Sequence, residues 1–254
     1  MSPDGAPGPL PMVVIPGMLC DESLWSDVVF PEGHEVHHLA LTEPDVGEIA
    51  EQALSSVNGP FVLVGLSLGA IAGFEVLRRA PDRIAGFCAM STNASAPRPE
   101  QLAAWRAMEQ LISDGRFADV VETTLPGMFE VPSPPAKWAD RYRSMAYAVG
   151  PDAARAQLAA QANRTEAFGA LRGARCPSVV LHGTRDALCP PDFHRSIAEA
   201  LPGAGLRELS DAGHLLPWQR PGAVSDALRE LLAEAERARP SAPRAPASSA
   251  PSTT

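Results

Sequence analysis

Short apolar runs alternate along this chain with longer stretches in which apolar residues recur every three or four positions. The runs Met12 to Ile15, Glu35 to Leu41, Phe61 to Leu66, Ile84 to Met90, Ser178 to His182 and Leu206 to Leu209 have the length of strands, and several are rich in Val and Ile. Helical periodicity covers about Val46 to Val57, Leu68 to Arg79, Pro191 to Ala200 and Gly222 to Arg237, with Ile71, Phe74, Val76 and Leu77 showing the spacing. Strand and helix patterns in alternation predict βαβ units, and therefore an α/β fold with a mostly parallel central sheet flanked by helices.

One segment departs from the alternation. Pro97 to about Gly173 carries no convincing strand pattern but four helix-like pieces, Glu100 to Ser113, Phe117 to Leu125, Lys137 to Val149 and Asp152 to Asn163. Residues 97–173 are therefore predicted to be a helical insertion dividing a core of 12–96 and 174–238. Lying between strands whose ends border the chemistry, the insertion is read as a lid over the site, with a packed helical decoration as the alternative. Both chain ends are low in complexity. Residues 1–11 hold four prolines and two glycines, and 239–254 form a Pro/Ala/Ser tail. Neither buries enough apolar surface to offset its ordering entropy, so both are expected to be disordered.

The strongest chemical signal is Phe61-Val62-Leu63-Val64-Gly65-Leu66-Ser67-Leu68-Gly69, a strand running through Gly-x-Ser-x-Gly into a helix. A tight turn of this kind lifts a serine hydroxyl clear of the sheet and needs small residues two before and two after, which makes Ser67 the candidate nucleophile. The turn also puts a helix N-terminus at the reaction centre, so the Leu68 N–H is a candidate oxyanion donor. A second donor is expected from the loop after Val13-Val14-Ile15, where Met18 is chosen and Leu19 is a near competitor. A serine hydroxyl needs a base, and the base needs an acid to fix its tautomer. Of the six histidines, His214 lies in a glycine-bearing loop after the last predicted strand; Asp186 follows the Gly183 turn, completing the order Ser, Asp, His. Asp192 is read as a helix cap or first-turn charge, and Asp211 as shaping the His214 loop.

Composition removes other classes. A net charge of −9 without a dense Lys/Arg cluster argues against a nucleic-acid partner. No apolar run approaches the roughly 20 residues that span a bilayer, and the N-terminus lacks a signal-peptide pattern, so a cytoplasmic protein with no membrane association is expected. Cys20, Cys88, Cys176 and Cys189 show neither CxxC pairing nor metal-type spacing and are read as buried free thiols, with no metal site.

These motifs resemble those of the α/β-hydrolase fold superfamily, and in particular its cofactor-independent esterases, enol-lactonases and carbon–carbon bond hydrolases. The resemblance spans nearly all of Met12 to Arg237. It rests on Pro16-Gly17-Met18, where many members have His-Gly-x, on Gly65 to Gly69, on Gly183-Thr184-Arg185-Asp186 and on Ala212-Gly213-His214. It implies an eight-stranded sheet whose first two antiparallel strands are expected to be lacking here. It also implies acyl transfer through an acyl-enzyme, without metal or organic cofactor. The expected substrate is a small hydrophobic carboxylic ester or lactone. Rival readings are a carbon–carbon or thioester hydrolase and a non-catalytic small-molecule receptor on the same fold. Leu19, Trp25, Trp105, Met128, Trp138 and Leu215 are the candidate pocket residues. The exposed edge of the insertion is either a homodimer interface or merely mobile.

Overall fold

The computed structural model describes residues 8–129 and 134–239. Its sheet is formed by β1 (Met12–Ile15), β2 (Val36–His38), β3 (Phe61–Leu66), β4 (Ile84–Met90), β5 (Ser178–Gly183) and β6 (Gly205–Leu209). The strand order is β2-β1-β3-β4-β5-β6, and every neighbouring pair is parallel. From β1 the chain steps outward to β2, then returns past β1 to β3. The strand order thus reverses at the β1/β3 pair, and the loops leaving these two strands diverge and open a crevice at their carboxyl ends.

The sheet is covered on both faces, which is why β1, β3 and β5 are buried at every position and read as continuous apolar runs. Alternate residues enter separate cores. Val13, Ile15, Leu63, Phe87 and Val180 pack with α1 (Val46–Ser56), α2 (Leu68–Arg79) and α7 (Pro191–Ala200). Met12, Val14, Val64, Cys88 and Leu181 pack with α9 (Pro221–Ala238) and with residues from between β4 and β5. That connection carries α3 (Pro99–Ser113), α4 (Phe117–Phe129), α5 (Ala136–Asn163) and α6 (Phe168–Arg172). Within α5, Gly150 takes φ 77°, ψ 170°, and Pro151 begins the second half. Glycine supplies the left-handed backbone and proline restarts the helix where its missing N–H costs nothing.

Three expectations need correction. The second strand is shorter than Glu35 to Leu41 because only Val36, His37 and His38 pair with β1. The segment 1–11 is ordered from residue 8: Leu10 is buried in the core and the Pro11 carbonyl accepts from the Val62 N–H at 2.9 Å. Residues 1–7 and 240–254, also expected to be disordered, lie outside the described residues. Cys20, Cys88 and Cys189 are buried free thiols, whereas Cys176 is only partly buried. Among the described residues no helix is long and apolar enough to cross a membrane.

Candidate active site

Ser67 joins β3 to α2 with φ 54° and ψ −113°, a backbone conformation that costs a non-glycine residue on the order of 1–3 kcal/mol. The neighbouring glycines explain how the turn is built. A Cβ on Gly65 would lie 2.5 Å from the Ala70 backbone, and one on Gly69 would lie 2.2 Å from the Ile15 carbonyl oxygen. The strained residue is held from both sides: its N–H donates to the Met90 carbonyl at 2.9 Å, and its carbonyl accepts from the Thr92 hydroxyl at 2.9 Å. Ser67 Oγ has no hydrogen-bond partner among the described residues, and Ser67 lines a cavity of about 220 Å³.

His214 lines the same cavity. A Cβ on Gly183, at the end of β5, would lie 2.1 Å from the Ala212 carbonyl oxygen, so only glycine lets the two loops cross there. Beyond the crossing Asp186 is buried, and its Oδ1 accepts from the N–H groups of Leu188 at 3.0 Å and Cys189 at 2.9 Å. Oδ2 receives His214 Nδ1 at 2.8 Å. An ionised carboxylate only accepts, so Nδ1 carries a proton, and in the neutral ring Nε2 is the acceptor. Burial pushes the Asp186 carboxyl up, but attraction to His214 and the hydrogen bonds from His214 and the Cys189 N–H outweigh it, leaving the group below its ordinary value. The His214 N–H donates to the Met128 carbonyl at 3.1 Å, and Gly213 N–H to Gln219 Oε1 at 2.9 Å. Asp211, at φ 54°, ties the loop by donating its N–H to the Thr184 hydroxyl and by pairing with Arg185. Asp192 lies in the first turn of α7 and pairs with Arg195.

Ligand atoms of Asp186, Cys189 and His214 lie within 4.8 Å of one another. They make a poor metal site, because burial and the nearby Asp186 charge hold the Cys189 thiol protonated and Nδ1 is already committed to Oδ2.

Two candidate donors flank the nucleophile. The Leu68 N–H opens α2 and has no acceptor within the helix. In the loop after β1, Leu19 has φ 59° and its buried N–H donates to Gln157 Oε1 at 2.8 Å, while Gln157 Nε2 donates to the Leu41 carbonyl at 3.0 Å. Leu19 is thereby spent. Met18 lines the cavity and its N–H has no partner among the described residues, which leaves it as the second donor candidate.

Among the proposed pocket residues, Trp105 and Met128 line the cavity, whereas Leu19, Trp25, Trp138 and Leu215 do not. Trp25 is buried near Phe30, and Trp138 stacks on Trp218 with ring centroids 6.0 Å apart. Leu215 is wholly buried in the core. Their apolar character satisfied the packing of the loops instead. Met108, Ile71, Leu66 and Leu188 supply further apolar lining.

Residues 13–227 match the family model described as alpha/beta hydrolase family. The chain belongs to the alpha/beta hydrolase family. A curated relative, "Putative non-heme bromoperoxidase BpoC" of Mycobacterium tuberculosis, is 28% identical over 184 residues, covering 68% of each chain. Among solved structures, a thermophilic esterase from Thermogutta terrifontis with malate bound superposes with TM-score 0.76 at 24% identity, covering 91% of this chain and 92% of the other. An enol-lactonase from Burkholderia xenovorans LB400 gives TM-score 0.74 at 21% identity, covering 89% and 93%. At these identities the structural likeness establishes the shared fold.

In this alpha/beta hydrolase a second histidine supports the turn at Ser67. His194, wholly buried on α7, accepts the Thr92 N–H at Nε2 (2.9 Å), and Thr92 in turn donates its hydroxyl to the Ser67 carbonyl. The His194 ring stacks on His182, 4.8 Å between centroids. Burial first, and then the neighbouring His182, push the His194 pKa down to about 4, with Asp186 pulling the other way. The folded protein holds His194 neutral, while the unfolded chain takes a proton near 6.5. Its contribution is therefore present above pH 6.5 and lost as pH falls to about 4, a loss of roughly 3 kcal/mol. Urea unfolding between these pH values is expected to show that slope in the wild type and a flatter one in His194→Gln, whose amide oxygen can accept from the Thr92 N–H and does not titrate. Equal slopes would exclude His194 as the source.

Proposed function

We propose that this chain is a serine hydrolase that cleaves a small carboxylic ester or lactone through an acyl-enzyme on Ser67. The observation that carries this reading is the buried Asp186–His214 hydrogen bond, which reserves Nε2 as a base in the cavity that Ser67 also lines. In the first step Ser67 Oγ attacks the carbonyl carbon while His214 Nε2 takes the hydroxyl proton. The N–H groups of Met18 and Leu68 stabilise the oxyanion, and His214 then protonates the leaving alkoxide. Water repeats the sequence on the acyl-enzyme, with His214 again as base. A cavity of about 220 Å³ is smaller than the ~300–1,000 Å³ of drug-sized ligand sites, and its Met18, Met108, Met128 and Leu188 lining favours a short acyl group.

Intact-protein and peptide mass spectrometry after reaction with a fluorophosphonate tests this without knowledge of the substrate. One adduct per chain is expected, located on Ser67, and His214→Ala should slow its formation by at least about 10²-fold. A folded wild-type protein that stays unlabelled would overturn the reading.

A further inference from the structure

Arg164 follows α5 and is only 6% exposed. Its Nε donates to the Ser95 carbonyl at 3.2 Å and Nη1 donates to Gln161 Oε1, while its Cζ lies 5.2 Å from the centre of the Trp105 ring. Nη2 is buried with no hydrogen-bond partner, and among the described residues no carboxylate lies within ion-pair distance of the guanidinium. An amide, a carbonyl and a ring face solvate this cation without neutralising it. Burying an arginine charge is costly, and the usual compensation is an opposite charge. The surface residue Arg79 shows the contrast: hydrogen bonds to Glu75 and Glu51 hold its pKa up, whereas burial pulls that of Arg164 down.

Arg164 also lines the Ser67 cavity, together with Asn93, Gln101 and Gln161. Among the described lining residues there is no Asp or Glu. A chain of net charge −9 thus keeps an uncompensated cation at the wall of its reaction cavity. We propose that the substrate carries a carboxylate in addition to its ester or lactone group, and that Arg164 supplies the counter-charge for it while the scissile carbonyl lies at Ser67. This inference rests on the hydrolase reading of the same cavity. Arg164 is then a binding residue that selects acidic esters over neutral ones of equal size, with Gln161 and Trp105 holding its planar fork in place.

The test compares the monomethyl half-esters of succinate, glutarate and adipate with the corresponding dimethyl esters at pH 7, where the free carboxyl of each half-ester is ionised. For at least one chain length the wild type is expected to prefer the half-ester by about 10- to 100-fold in kcat/KM, the span of a charge-assisted hydrogen bond. Arg164→Met should bring that ratio close to one, and Arg164→Lys, which offers an ammonium in place of the guanidinium, should retain part of it. Calorimetry on Ser67→Ala reads the same preference as a ratio of Kd values without turnover. A wild-type ratio of one or below at every length, in turnover and in binding, overturns the proposal; so does a preference that survives in Arg164→Met. Selective binding of half-esters to Ser67→Ala in a protein whose wild type turns over neither ester upholds the anion site and overturns the hydrolase reading instead.

Discussion

Ser67→Ala is expected to lower kcat for a small ester by about 10⁴- to 10⁶-fold while leaving the urea unfolding midpoint nearly unchanged. The size follows from what the hydroxyl does: without Oγ no acyl-enzyme forms, and only the oxyanion donors and ordinary binding remain to assist attack by water. The small structural cost follows from the surroundings. Ser67 Oγ has no partner among the described residues, so its removal orphans no buried group, and the unusual backbone angle is held by the Met90 carbonyl and the Thr92 hydroxyl. Alanine inherits that angle and most of its strain. Steady-state turnover and urea melts of the same preparation check both halves. Activity within tenfold of wild type would mean that the chemistry does not pass through Ser67.

The second large effect is expected at Asp186→Asn, and its sign can be worked out from the hydrogen bonds. Oδ1 accepts two backbone N–H groups, from Leu188 and Cys189, and an amide NH₂ placed there would face two donors. The amide oxygen therefore keeps that position and the NH₂ turns to His214. Nδ1 must then accept, the ring proton moves to Nε2, and the imidazole can no longer take a proton from Ser67. A loss of about 10⁴-fold in kcat is expected, with the substrate Kd measured by calorimetry little changed. If Asp186→Asn keeps more than a tenth of wild-type kcat, Asp186 is not what sets the histidine tautomer.

The sheet was legible because both of its faces are covered. Burial turns β1 and β3 throughout, and β4 at all but Ala85, into the apolar runs Met12–Ile15, Phe61–Leu66 and Ile84–Met90, whose ends coincide with the observed strands. The edge strand β2 faces less packing, and there hydrophobic pattern overstated its length. The placements of Ser67, Asp186 and His214 were readable because each sits on a turn that glycine makes possible. The supporting contacts were not. Gln157 reaches Leu19 across 138 positions, and His194 reaches Thr92 across 102; no local period encodes such pairs. Trp25 and Trp138 went wrong for a related reason, since an aromatic side chain near a site has the same signature whether it faces the cavity or the core.

The tie between His214 and Met128 bears on how this protein could be re-engineered. Helical insertions between sheet strands are attractive units for transplanting specificity, as though roof and machinery were separable parts. Here the carbonyl of Met128, near the end of α4, holds the His214 backbone, and Gln157 on α5 occupies the Leu19 N–H beside the nucleophile loop. A wholesale exchange of 99–172 would remove a restraint on His214 and one on the loop after β1 together. Substrate range is better altered one side chain at a time, at Trp105 or at the 44%-exposed Leu188, which line the cavity and for which no hydrogen bond to the reacting groups would be lost.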